Sequence, residues 1–382
     1  MTEKLYERDS HIRTFQAEVL SCEKRAGFYE TVLDRTAFFP EGGGQGCDFG
    51  TLADAAVLDV QLQDGVILHK TDRAVPLGTV SCTVDFARRL RHMQNHSGEH
   101  ILSGLIHRHY GLDNVGFHLG EEVTADFNGI LTRSQLDAIE TLANEAVFAD
   151  LPVTAWTPPP AELAALDYRS KAGIEGEVRL VKIGEVDLCA CCAPHVKSTG
   201  EIGLIKVLDF EKNKGGTRIR IKCGKDALLD YRAKYTGVQK ISNLLAVKQN
   251  EVFDGVEKLN DQLGEAKWAL SQMKKRLIAE KIKTFDSEKP VTALFEEDLD
   301  GKELQLYADA LHQAYGGIRA VFSGADPAYS FAACGEEAAL NTFFGDFKNR
   351  LTVRGGGRNG IVQGTVQAER AAILAFFDAW QP

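Results

Sequence analysis

His96-Ser-Gly-Glu-His100 and Cys191-Cys-Ala-Pro-His195 decide how this chain is read. Each segment places two strong metal ligands four residues apart. On a helix, residues i and i+4 share a face, so His96 and His100 can turn both imidazoles toward one ion. Cys191 and His195 complete a set of three nitrogens and one sulfur, which a tetrahedral zinc ion accepts readily. Either motif alone is equally the signature of two unrelated surface side chains; together they predict one zinc site. Cys189 and Cys192 lie close enough to compete with Cys191 or to support it.

Working outward, residues 1–90 read as short strands and turns, a small β-barrel or sandwich. Val57–Leu62 and Val66–His69 are β-type runs, and the turn-rich Pro40–Gly50 precedes them. Near Arg88 the pattern changes to a helix carrying both histidines. A strand pair follows from His118 to Phe127, then a helix from Ser134 to Ala149 and a stiff Pro158-Pro-Pro160 connection. Strands at Val178–Ile183, Ile202–Leu208 and Arg218–Lys222 flank the cysteine cluster. From about Asp226 to Phe285 the chain reads as helix without proline. Val252, Val256, Leu259, Leu263, Ala266, Leu270, Met273 and Leu277 alternate in steps of four and three, a heptad seam. An amphipathic helix on a core, a helical hairpin with the segment around Val238, Ile241 and Leu245, and a coiled coil all fit it. A small α/β module closes the chain. The fold class expected is therefore α+β, because strands and helices do not alternate as βαβ units. The expected layout is an N-terminal β-barrel (1–90), an α/β zinc-containing core (91–225), a coiled-coil or hairpin stalk (226–285) and a C-terminal α/β domain (286–382).

Composition narrows the compartment and the partners. The 382 residues are 44% hydrophobic and 26% charged, ordinary for a globular protein of two or three domains. No apolar run suits a signal peptide or a membrane span. Three of the eight cysteines crowd into Cys189-Ala-Cys191-Cys192, which favours a reducing cytoplasm over disulfides. The formal charge of −10 opposes indiscriminate nucleic-acid binding but leaves room for a local basic surface. Arg218, Arg220 and Lys222 alternate on one strand face and are candidate phosphate contacts, as are Arg88, Arg89 and Arg91 before the histidine pair.

His96-Ser-Gly-Glu99-His100 also fits the inverted zinc-protease pattern H-x-x-E-H, with Glu99 activating water and Glu175 or Glu177 as a third ligand. That reading leaves Cys191, His195 and the glycine-rich loop unexplained. Gly42-Gly-Gly-Gln45 permits close approach of backbone to a ligand, although an isolated glycine triplet is also an ordinary turn; Gly355-Gly-Gly-Arg358 carries the same two readings. A zinc-stabilised RNA-binding module without catalysis is a further alternative.

Thr36-Ala-Phe-Phe-Pro-Glu-Gly-Gly-Gly-Gln-Gly-Cys-Asp-Phe-Gly50, His96/His100, Cys191/His195 and Thr199-Gly-Glu-Ile-Gly203 occur in the order seen in alanyl-tRNA editing domains. The chain resembles the free-standing editing proteins of the AlaX type, in their long form. Its C-terminal part resembles the DHH-associated domain of alanyl-tRNA synthetases at Gly355-Gly-Gly-Arg358 and Gln363-Gly364. The resemblance implies hydrolysis of mischarged tRNA(Ala), chiefly Ser-tRNA(Ala) and also Gly-tRNA(Ala), and no synthetase activity, since no aminoacylation domain is evident. It implies zinc held by His96, His100, Cys191 and His195, with Gly42, Gly43, Gly44 and Gln45 beside the aminoacyl group. Thr36 and His118 are further polar candidates for binding the substrate hydroxyl, and Glu99 is the candidate general base. Cys192-Ala-Pro stands where the family has Gly-Gly-Thr, and Cys189 adds a nearby thiol, so the chain departs from the family pattern at the cysteine end. A homodimer through the C-terminal region is expected, and no membrane partner.

Overall fold

The computed structural model describes residues 2–170, 177–285 and 288–381. The architecture is mixed α/β and divides into two compact units, Met1–Lys240 and Ile241–Pro382. In the first unit six strands close on themselves in the order Thr14–Lys24, Tyr29–Leu33, Val66–Thr71, Ala55–Gln63, Gly50–Leu52 and Gly78–Val84. The sequence Gly78-Thr-Val-Ser-Cys-Thr-Val84 shows why. Val80, Cys82 and Val84 point inward and are buried, while Thr79, Ser81 and Thr83 face out, the period of two that a half-buried strand requires. Leu33, Leu52, Val60 and Ile67 fill the interior, each stabilising the fold by roughly 1.5–3 kcal/mol relative to exposure.

A helix from Phe86 to Tyr110, called here the ligand helix, leaves this barrel. Asp85 caps its start, accepting from the amides of Ala87 and Arg88, and Gly111 ends it in a left-handed conformation with φ of 65°. Met93, Ile101, Leu102 and Ile106 bury against a second core, a four-stranded antiparallel sheet ordered Ile205–Asn213, Gly216–Cys223, Val123–Phe127 and Asn114–Leu119. Residues Arg133–Phe148 form a further helix on this core. A three-stranded sheet, Val153–Trp156, Leu180–Ile183 and Asp187–Ala190, carries the cysteine cluster. It comes close to the ligand helix at Gly104, where a Cβ would lie 2.8 Å from Asp187. The boundary expected at residue 90 is thus crossed by a continuous helix, and barrel and sheet share one unit.

Barrel and ligand helix are fastened by a buried ion pair. Arg89 is fully buried, and its Nε lies 2.9 and 3.0 Å from the two carboxylate oxygens of Asp48. Its remaining donors reach the carbonyls of Ser10 and Ala37. Asp48 in turn accepts from the Phe39 amide at 2.7 Å. Arg89 is therefore a structural bolt rather than the phosphate contact expected from sequence.

The stretch 226–285 is not one helix. Lys225–Leu245 and Val252–Lys283 are separated by a break in which Ala246 adopts φ of 53°. At the break, Leu245 and Val247 pack against Gly255, but the heptad seam beyond stays uncovered: Val256, Leu259, Leu263, Leu270, Met273 and Leu277 are all exposed. A different face, Ile278 and Ile282 at i and i+4, packs with Leu304 and Leu311 of the helix Gly301–Tyr315. A five-stranded sheet follows, ordered Val291–Glu296, Ile318–Ala325, Ala328–Cys334, Ile361–Gln367 and Thr352–Arg358. Its first pair is parallel, bridged by that same helix, and the rest are antiparallel. Gly355-Gly-Gly-Arg358 lies in the edge strand, not in a turn. The turn is Asn359-Gly360, with φ of 58° and 76°, as an Asn-Gly hairpin prefers.

Removing Arg89 strands a buried carboxylate. Arg89→Met is expected to destabilise the N-terminal unit by about 3–5 kcal/mol, read from denaturant unfolding. Pairing it with Asp48→Asn should recover part of that loss. A loss near zero in the single variant would show that the bolt carries no stability.

Candidate metal centre

His96 and His100 are buried on the ligand helix, and Cys191 and His195 follow the strand Asp187–Ala190. One donor atom from each of the four lies within 4.8 Å of all the others. The Cys191 Sγ is 3.6 Å from His96 Nε2 and 3.3 Å from His195 Nε2. Every histidine is tied through its other nitrogen. His96 Nδ1 meets Gln45 Oε1 at 2.9 Å, His100 Nδ1 meets Asp187 Oδ2 at 3.0 Å, and His195 Nδ1 meets Ser97 Oγ at 2.9 Å. Holding Nδ1 in this way turns Nε2 inward and selects the tautomer that ligates metal. Three imidazoles and one thiolate, so arranged, fit a borderline transition-metal ion.

The electrostatics agree with a ligating thiolate. Burial alone would push the Cys191 thiol up, but the surrounding His96, His195 and His100 hold it well below the ordinary range. Burial pushes His195 down to about 3, against the pull of Cys191, so its ring is neutral. His100 is held well above its usual value: burial opposes this, and Cys189, Asp187 and Cys191 overcome it. Cys189 also comes near His100 and Asp187. Asp187, however, is clamped by Arg169, whose Nε and Nη2 donate at 2.7 and 2.9 Å. Asp187 therefore serves His100 as a buttress, and burial pushes the Cys189 thiol up rather than down.

The cluster opens into a cleft of about 930 Å³, lined also by Gly43, Glu99, Asn114, Phe117, Tyr168, Arg169 and Arg179. Gly42 and Gln45 exchange both backbone hydrogen bonds at 3.0 Å, and Gly43 and Gly44 between them have φ of 62° and 84°. That is a type I′ turn, which needs positive φ at both central residues. A Cβ on Gly44 would come within 2.4 Å of the Phe117 carbonyl. The glycines thus hold a tight turn against the strand Asn114–Leu119 and deliver Gln45 to His96. Gln45 is almost fully buried, and its Nε2 has no hydrogen-bond partner among the described residues.

Several sequence expectations need correction. Thr36 sits in the barrel core, its hydroxyl 2.9 Å from His69 Nε2, and is not a cleft residue. His118 is exposed and lies outside the cleft, whereas its neighbour Phe117 packs on His96 with ring centroids 4.8 Å apart; alternation along a strand explains the difference. Arg218 is paired with Asp126 at 2.7 Å, Arg220 with Asp209 and Glu211, and Lys222 with Asp230. The expected cationic strip is neutralised within the fold. Glu99 faces the cleft, and its Oε1 accepts from Ser103 and from Asn114 at 2.6 Å. Glu175 lies outside the described residues, and Glu177 is an exposed residue at the cleft wall.

Sequence reasoning missed Asp187, Arg169, Ser97 and Arg179. The last donates to the Cys191 and Cys192-flanking Ala193 carbonyls at 2.9 and 3.0 Å and shapes the ligand loop. None carries a spacing signal; only Ser97, adjacent to His96, was within reach of inspection.

Asp187→Asn keeps the shape of the buttress and removes its charge. Metal affinity, measured by competition with a chelating dye, is expected to fall about 10–100-fold, and Cys189→Ser to matter far less. Unchanged affinity in Asp187→Asn would refute the buttress.

Residues 178–220 match the threonyl and alanyl tRNA synthetase second additional domain. The alanyl-tRNA editing protein AlaX-L of Pyrococcus horikoshii is 32% identical over 303 residues, which cover 74% of this chain and 75% of the relative. The alanyl-tRNA editing protein Aarsd1 of Danio rerio is 28% identical, covering 80% and 79%. The alanine–tRNA ligase of Pyrococcus abyssi is 30% identical over 96% of this chain, which spans only 42% of the ligase. With a paired-histidine helix, a Cys–His loop and an upstream glycine turn assembled around one cleft, this chain belongs to the family of alanyl-tRNA editing proteins.

Proposed function

We propose that the chain removes serine, and glycine as a lesser substrate, from mischarged tRNA(Ala), with zinc at the His96/His100/Cys191/His195 centre. Membership of the editing family makes it an aminoacyl-tRNA deacylase, a carboxylic ester hydrolase. The observation that carries the finer reading is the convergence of four ligands at one wall of a polar cleft large enough for an aminoacylated nucleotide end. An alanine pocket cannot exclude glycine, and rejects an added hydroxyl by only about 100-fold. A second site that destroys the wrong ester restores accuracy. Such a site must reward the serine hydroxyl with hydrogen bonds. Gln45 does not line the cleft, but its unpartnered Nε2 lies behind the cleft wall beside His96, closer to the metal cluster than Thr36 or His118.

His96, His100, Cys191 and His195 would hold a zinc ion; with all four bound it would supply positive charge and organise this wall, and with one ligand released it would supply Lewis acidity. The chain's own groups do the rest. Gly43 keeps the loop side of the cleft free of side chains, Gln45 orients His96 from behind the wall, and Glu99 is the candidate to take a proton from water. The Ser103 and Asn114 donors hold one Glu99 oxygen and leave the other for that task. Neither the protease reading nor a purely structural RNA-binding role accounts for the family relationship. Among the described residues no helix is long and apolar enough to cross a membrane.

The uncovered seam of the helix Val252–Lys283 supports a second copy of this chain as its occupant, in a coiled-coil homodimer. Seven of its eight heptad positions are exposed along one stripe, more apolar surface than an isolated helix hides in water. Leu263→Glu with Leu270→Glu is expected to turn a dimer into a monomer in light scattering. A monomeric wild-type chain at high micromolar concentration would rule the dimer out.

Ser-tRNA(Ala) is expected to be deacylated faster than Ala-tRNA(Ala), and the activity to disappear with a chelator and return with zinc. Glu99→Gln should lower the rate by about 10²–10⁴ without lowering zinc content. Equal rates on the two esters would sink the specificity, and no hydrolysis by metal-replete protein would sink the proposal as a whole.

A further inference from the structure

The ligand helix presents Arg88, His92, His96 and His100 at four-residue intervals, a row that winds about 40° around the helix at each step. The last two enter the metal cluster; the first two do not. Successive members of this ladder are about 6 Å apart along the helix axis. Arg88, Arg91 and His92 line a separate small cleft closed on its far side by the turn Leu119-Gly120-Glu121.

Three features mark this cleft as built to receive an anion. His92 is 2% exposed, yet its Nδ1 has no hydrogen-bond partner among the described residues. Arg88 has no carboxylate within ion-pair distance among the described residues; its Nε donates to the Cys47 carbonyl at 3.1 Å and its guanidinium lies over the Phe49 ring at 4.0 Å. The glycine turn leads directly to it, since a Cβ on Gly46 would be 3.3 Å from an Arg88 Nη. Arg91 plays another part: paired with Asp226 at 2.7 Å, it donates to the Gly120 and Glu121 carbonyls and braces the turn. Burial, then the charges of Arg88 and Arg91, push His92 down to about 3, so its ring acts as a neutral hydrogen-bonding group. Glu121, exposed at the rim, is the one acid in the lining.

We propose that Arg88 and His92 seat a backbone phosphate of the tRNA 3′ end while the terminal ester lies at the metal cluster. The inference rests on the deacylase reading for the identity of the ligand. It gives the free cation of this row one phosphodiester to hold, and makes the helix a ruler from that phosphate to the ester. Its contribution is to ground-state binding, so its loss raises KM and leaves kcat.

The test uses the full chain loaded with metal. An uncharged CCA-ended tRNA(Ala) minihelix is bound over a salt series by wild type, Arg88→Gln and Arg88→Lys. Arg88→Gln is expected to lower the slope of log affinity against log salt by about 0.7–0.9, and Arg88→Lys to restore it. KM for Ser-tRNA(Ala) should rise at least fivefold in Arg88→Gln, with hydrolysis of 3′-seryl-adenosine, which has no phosphate, and metal content unchanged. A minihelix with neutral methylphosphonates at its last two linkages should bind wild type as weakly as the native minihelix binds Arg88→Gln. An unchanged salt slope, an equal loss on both substrates, or no penalty from methylphosphonate in wild type would each overturn the seat. If wild type hydrolyses neither ester, the deacylase reading falls, and the binding arm still decides the phosphate seat.

Discussion

Each histidine of the metal cluster has committed its Nδ1 to a protein acceptor, and the site depends on that constraint. An imidazole has two nitrogens, and only when one is held does the other point reliably at a shared centre. The three acceptors come from separate parts of the first unit. Gln45 belongs to the glycine turn that leaves the barrel, Asp187 to the cysteine-bearing sheet, and Ser97 to the ligand helix itself. Barrel, helix and hairpin must all be in place before the donors converge. A bound ion and the tertiary structure therefore stabilise one another.

That dependence explains the rigid fastening upstream. Arg89 and Asp48 join the helix to the barrel loop just beyond the glycine turn, with both side chains fully buried. A buried ion pair contributes little net stability compared with apolar packing, but it has few alternative geometries. Placed seven residues before His96 and three after Gln45, it sets the relative position of a ligand and the ligand's holder. The type I′ turn acts in the same direction, because Gly43 and Gly44 accept a backbone that almost no other residue tolerates.

The parts of this organisation legible in the sequence were those with a spacing. His96/His100 and Cys191/His195 follow helical or loop periods, and the short runs around Val57 and Val66 alternate as strands do. The helix expected over Ser134–Ala149 lies at Arg133–Phe148, one residue away at each end. What stayed hidden was side-chain direction and partnership. Thr36 and His118 have suitable chemistry, but pleating sends one into the barrel core and the other to solvent. Asp187 carries no pattern; it becomes a buttress only because Gly104 lets its strand approach the helix. A hairpin reading implies a break after Leu245, but nothing local announces the positive φ of Ala246, since alanine is a strong helix former.

The same distinction between having a charge and having it free governs how an acidic chain can hold RNA. With 54 acidic against 44 basic residues, most cations are expected to find carboxylates at home. Arg218, Arg220 and Lys222 did so, although their alternation on a strand made them the most visible basic cluster. These pairs are partly exposed and worth only about 0.2–1 kcal/mol each, but a cation already paired gains less from a phosphate than one without a carboxylate. Under the proposed phosphate seat, affinity for a polyanion rests instead on Arg88, whose neighbours are a carbonyl and a ring.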